Sequence, residues 1–178
     1  MEEKQGAIVA MIRIRRAAPA DLPSILDVVG AAALPTEGVC GILGRFLVAE
    51  QDGRIVATAG IELGDECALL RSVVVVPEAR GMGLGIEIVR QALRLASVSG
   101  ARTVYLLTTT ASGFFPRFGF KPALRAEIEA KFPGSPETRP GGRVRRRRGD
   151  GSARPLRRAR PSAAALRARS GDVPPTQG

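Results

Sequence analysis

The sequence predicts a mixed α/β domain of the α+β type, with a central, mostly antiparallel sheet of about six strands and helices on both faces. Three observations carry this. Val73-Val74-Val75-Val76 is a run of β-branched residues, which suits a buried strand, and Pro77 ends it because proline cannot donate to a sheet ladder. Gly81, Gly83 and Gly85 follow and lead into an amphipathic helical pattern. Upstream, Asp52-Gly53 sits between two apolar segments, a strong hairpin signal, so antiparallel strands deliver the chain to the valine run.

Taken in order, residues 1–10 read as an extension, and Met11 competes with Met1 as the start because the pattern begins directly after it. Ile12 to Arg15 alternates as a first strand. Asp21 suits an N-cap and Pro23 the first helical turn; Leu22, Ile25, Leu26 and Val29 then share one face. Thr36 to Leu43 gives a weak second helix, interrupted by Gly38 and Gly41. Phe46 to Glu50, Arg54 to Leu63 and Cys67 to Val76 form a three-stranded meander. The helix from Gly85 to about Ser99 carries Val89, Ala92, Leu93 and Ala96 on one face, with Gly100 placed to cap it. Thr103 to Leu107 is the next strand, Phe114 to Phe118 a short helix, and Gly119-Phe120 starts a last strand. These elements make one domain over residues 11–132.

The glycine loop implies an anionic ligand. Glycines let a ligand approach the backbone, and the free N–H groups of a helix's first turn, with its positive dipole end, attract phosphate. A Walker loop would need Gly-Lys-Ser/Thr where Leu84-Gly85-Ile86 stands, and the dinucleotide fingerprint would need a glycine at Ile86. An ordinary strand-to-helix turn is the plain alternative. The remaining pattern, Arg80-x-x-Gly83-x-Gly85 after a Val-x-Pro strand end, resembles the pyrophosphate loop of the Gcn5-related N-acetyltransferase (GNAT) superfamily. The element order, β-α-α-βββ-α-β-α-β over about Ile12 to Lys121, is similar to that superfamily's acetyl-CoA N-acyltransferase fold, as is Phe114 to Phe120 to its aromatic-x-x-x-Gly-Phe segment. More narrowly, Leu34 to Gly38, Leu69 to Val73 and Tyr105 to Ala111 resemble a bacterial group of arsenic-resistance-associated N-acetyltransferases.

The resemblance implies acetyl-CoA as cosubstrate, a small amine as acceptor, and a cofactor site at Val73, Val74, Val75, Arg80, Gly81, Met82, Gly83, Leu84 and Gly85. Val73 and Val75 would bond the pantetheine arm like an added strand, and the N–H groups from Gly81 to Gly85 would hold the pyrophosphate. With no histidine in the chain, a general base must be a carboxylate or water, and no histidine metal site exists. Glu62 is the candidate base, alternating with Ile61 and Leu63 beside the loop strand; a solvated carboxylate on a sheet face is the competing reading. The family often places a tyrosine acid near Phe115, which has no proton to give, so water or a hydroxyl of Thr108 to Ser112 takes that role. That absence also keeps open a non-catalytic acetyl-CoA-binding sensor. Arg45 and Arg71 are candidates for attracting an acidic substrate, or else are exposed strand arginines.

The net charge of +10 misleads as a whole. Residues 133–178 hold twelve Arg, no Lys, and only Glu137, Asp150 and Asp172; the preceding part keeps 15 of the 27 basic and 14 of the 17 acidic residues and is nearly neutral. This Arg/Pro/Gly-rich tail shows almost no apolar pattern and reads as disordered. Nucleic-acid binding through phosphate neutralisation at Arg145 to Arg148 is one reading; a frameshifted C-terminus, with no closing strand, is the other. Without that strand the one starting at Gly119 would expose its edge and favour a homodimer. Two cysteines without metal-ligand spacing, a poor signal sequence and short apolar runs suit a cytoplasmic protein with no membrane span and no metal.

Overall fold

Asp52 and Gly53 both adopt positive φ, 50° and 75°, as a two-residue turn must when its twist matches the strands it joins. That turn closes β2 (Phe46–Gln51) onto β3 (Arg54–Leu63), and β3 pairs in turn with β4 (Cys67–Val75). This meander is the centre of a computed structural model that describes residues 11–139, 164–169 and 171. β1 (Arg13–Arg16) adds to β2, and β5 (Thr103–Thr108) runs parallel to β4. β6 is the short pair Lys121–Pro122, and β7 spans Ala164–Arg169. The seven strands lie in the order β1-β2-β3-β4-β5-β7-β6.

Alternation along the strands separates the two faces of the sheet, which carry three apolar clusters. Leu47, Ala49, Ala68 and Leu70 point to the face covered by α2 (Leu84–Val98). Phe46 and Val48 point to the opposite face and meet Ile25 and Val29 of α1 (Leu22–Ala31). Cys67 and Leu69 join Ile128 of α3 (Arg125–Lys131) and Phe132. Gly60 is required by this packing, since a Cβ there would stand 2.4 Å from the ring of Phe46, its cross-strand partner.

The structure differs from the sequence expectations at several elements. First, residues 133–178 were expected to contribute no strand. β7 instead sits between β5 and β6, pairing Thr103 to Thr108 on one side and Lys121 and Pro122 on the other. It buries Ala165, Leu166 and Ala168. The sheet therefore has seven strands rather than six, and β6 has the antiparallel partner whose absence would have favoured a homodimer. Second, Pro133 to Arg139 is folded: Ser135 and Thr138 are buried around a 3-10 turn at Pro136–Thr138. The strand read from Gly119 is only two residues long, and α3 follows it. The second helix expected at Thr36 to Leu43 is a 3-10 segment, Cys40–Arg45. The extension at 1–10, with its question of Met1 or Met11, and the arginine run Arg145 to Arg148 lie outside the described residues. No helix among the described residues is long and apolar enough to cross a membrane.

Candidate active site

β4 and β5 part company. Their pairing runs from Cys67↔Thr103 to Leu70↔Leu106 and goes no further. Beyond it, Arg71 to Val75 have no strand partner on the β5 side among the described residues, while β5 continues along β7. The separation opens a cleft of about 2040 Å³ between the two strands.

A bulge sharpens the opening. Thr58 pairs with Val74 and Gly60 with Arg71, so one residue of β3 faces two of β4. Ser72 takes φ 51° inside the strand, a conformation that costs a non-glycine residue of order 1–3 kcal/mol. The buried Thr58 Oγ1 donates to Ser72 O at 2.8 Å and fixes the distortion.

At the Val75 end lies the glycine loop. Gly81 and Gly83 have φ of 82° and 75°, which explains their identity, and Gly83 is the N-cap of α2. Ile86 and Glu87 N–H both donate to Gly83 O, so the amides ahead of them remain available at the positive end of a 15-residue helix. Arg80 Nε donates to Val75 O at 3.0 Å, pinning the corner where strand becomes loop. Val73, Val74, Val75, Arg80, Gly81, Gly83, Leu84 and Gly85 all line the cleft; Met82 is exposed and does not. Among the described residues no cluster of His, Cys, Asp or Glu is arranged to hold a metal.

At the Arg71 end the wall is made of charge. Arg71 is buried, and its Nη2 donates to Pro35 O at 3.2 Å and Glu37 O at 2.9 Å. It also contacts Glu137 Oε1 at 3.1 Å and, through Nη1, Glu62 Oε2 at 3.7 Å. Ser135 Oγ donates to Glu62 Oε2 at 2.9 Å. Gly38, at φ 77°, lets the loop after α1 close on this cluster, since a Cβ would stand 3.2 Å from Pro136 and 3.3 Å from Arg71 Nη1. Burial pushes the Glu137 carboxyl above the usual range; Arg71 opposes that shift, and Glu62 and Glu37 add to it.

The sequence candidates are thus distributed unevenly. Arg71 lines the cleft, whereas Arg45 ends a 3-10 segment and is not a lining residue. Glu62 touches Arg71 and Ser135 without lining the cleft itself. Phe115 is a lining residue, buried edge-on against Phe114 and Phe120. Thr108, Thr109 and Thr110 line the same wall, and the Thr108 hydroxyl accepts from Ala111 N–H at 3.1 Å. Tyr105 is spent elsewhere: it donates to Glu127 Oε1 at 2.8 Å, and burial with that carboxylate pushes its phenol up to about 12. Glu137 was missed by sequence reasoning. Its signal was Ser135-Pro136, an N-cap residue followed by proline, and Ser135 does accept from Glu137 N–H.

Residues 43–122, just under half of the chain, match the family model described as acetyltransferase (GNAT) domain. An uncharacterized N-acetyltransferase of Chlorobaculum tepidum is 34% identical over 88 residues, 49% of this chain and 53% of that protein. The chain spans about half the length of the curated relatives it matches. A GNAT-family acetyltransferase from Staphylococcus aureus Mu50 superposes with a TM-score of 0.67 at 14% identity, covering 90% of this chain and 99% of the other. A GNAT-family acetyltransferase from Brucella melitensis, solved in complex with acetyl-CoA, is 28% identical with a TM-score of 0.55, covering 63% and 84% of the two chains. This chain has the GNAT fold, with its domain match running from the start of the meander through the parted strands and glycine loop to β6.

Proposed function

We propose that the chain is an acetyl-CoA-dependent N-acetyltransferase acting on a small amine-bearing acceptor. The observation that carries this reading is the cleft between β4 and β5, with unpartnered strand backbone on one wall and a glycine-capped helix N-terminus at its end. The unpaired edge of Arg71 to Val75 suits the amide-bearing pantetheine arm, and the free N–H groups at Gly81 to Gly85 suit the pyrophosphate. Both contacts use backbone, which accounts for small residues there. The thioester would then reach toward the Ser72 bulge, close to the Arg71 end. Holding amine and thioester together in one cleft supplies a large part of such a rate, through orientation.

The acceptor end is bounded by Leu34 to Glu37, Pro136, Glu137 and Arg139. An arsenic-linked acceptor is the narrower reading, supported by the resemblance of Leu34 to Gly38 and of the two strand segments. A second reading, an acetyl-CoA-binding sensor without turnover, is favoured by Phe115, which puts a ring where a proton donor would serve. One experiment separates them. Full-length protein is mixed with acetyl-CoA and a panel of glycine, L-glutamate, ethanolamine and putrescine, and free thiol is followed. Amine-dependent thiol release is expected; a melting temperature raised by acetyl-CoA with no thiol release from any amine would select the sensor.

A further inference from the structure

Four buried polar atoms around the bulge have no hydrogen-bond partner among the described residues: Arg71 Nε, Arg71 Nη1, Ser72 Oγ and Glu137 Oε1. Buried polar groups are paired in the great majority of cases, so such a cluster calls for a reason. Glu137 is the informative member. Its carboxylate lines the cleft, with only 14% of the side-chain surface open. Arg71 Nη2 stands 3.1 Å from Oε1, yet the hydrogen bonds of that nitrogen go to Pro35 O and Glu37 O. Arg71 thus gives Glu137 charge without a hydrogen bond. Glu62, by contrast, has its Oε2 satisfied by Ser135 and does not line the cleft.

We propose that Glu137 takes the proton from the acceptor amine, with Arg71 as the positioning residue that holds its carboxylate at the cleft wall. This rests on the acetyltransferase reading above. The acceptor enters as an ammonium ion and donates to the other carboxylate oxygen, Oε2, because Oε1 is buried against Arg71. One proton passes to Glu137. The freed lone pair attacks the thioester carbonyl carbon, the C–N bond forms and the C–S bond breaks. The nitrogen's second proton leaves with the sulfur, giving amide and free thiol, and Glu137 returns its proton to solvent. No tyrosine is needed in this balance, which fits Phe115. The groups facing Glu137 are Arg71 from β4, Glu62 from β3 and Glu37 from the loop after α1; Arg125 and Arg139 line the same cleft. Burial and the two glutamates raise the carboxyl, which brings a general base closer to the operating pH.

The test is the pH profile of kcat/KM for wild type, E137Q and E137D, using whichever of the four amines gives thiol release. Wild type should lose activity toward acid, because the protonated carboxyl cannot accept, with a midpoint above the ordinary carboxylate range. E137Q should fall by about 10²–10⁴-fold and lose that acid limb, while the melting shift given by acetyl-CoA stays unchanged. E137D, which keeps the carboxylate, should retain the limb at reduced rate. An E137Q profile matching wild type in rate and shape overturns the assignment and leaves the acetyltransferase reading intact. A wild-type protein that binds acetyl-CoA and acetylates none of the amines overturns both.

Discussion

A chain ending at Arg139 is expected to aggregate or lose its cooperative unfolding transition, whereas one ending at Gly171 should unfold like the full-length protein. The difference between them is β7. It pairs with β5 over six residues and with β6 over two, and it buries Ala165, Leu166 and Ala168. Burying a leucine is worth about 1.5–3 kcal/mol and each ladder hydrogen bond about 1 kcal/mol net, so the strand supplies on the order of 5 kcal/mol. Domains of this size have about 5–15 kcal/mol in total. Its loss would also bare the apolar edge of β5, a template for intermolecular pairing. Chemical denaturation and size-exclusion chromatography of the two truncations check this. Indistinguishable midpoints would show that β7 adds nothing.

The second large effect is expected at Arg71. R71M should lower stability by about 3–5 kcal/mol, the cost of leaving a buried charge without its partner. Here Arg71 neutralises Glu137 and Glu62 and ties the loop at Pro35 to Glu37 onto β4. The loss should depend on pH. Burial already raises the Glu137 carboxyl, and Arg71 is the group opposing that shift, so its removal raises the folded value further. An acid whose folded pKa exceeds its unfolded value adds stability below the unfolded value and loses it as pH rises through the folded one. The deficit of R71M should therefore be smallest near pH 4 and grow toward pH 8, read from denaturation midpoints across that range. A deficit independent of pH would assign the effect to packing alone.

How far the sequence foretold this structure depended on whether the signals were local. The Asp52-Gly53 turn, the valine strand and the positive-φ glycines are written within a few residues, and β3, β4 and α2 begin and end within a residue or so of expectation. The glycine loop was legible for the same reason, since φ above zero leaves few residue choices. β7 was not legible. Its sequence, Ala-Ala-Leu-Arg-Ala-Arg, has poor strand formers and continues the composition of the arginine-rich stretch before it; its face is decided by β5 and β6, far away in the chain. α3 was legible and overlooked, because Arg125 to Lys131 consists almost entirely of good helix formers. The charge cluster could be read only in part. Glu62 and Arg71 lie on neighbouring strands, but Glu137 joins them by tertiary contact alone.

Acetyl-CoA is expected to lie in the parted β4/β5 cleft, held by backbone. Amide hydrogen exchange of the full-length protein with and without acetyl-CoA reads this placement. Protection should rise across Val73 to Val75 and Gly81 to Gly85, with little change on β1 and β2. Acetyl-CoA that leaves those amides exchanging as before, or that protects a different surface, would place the cofactor elsewhere.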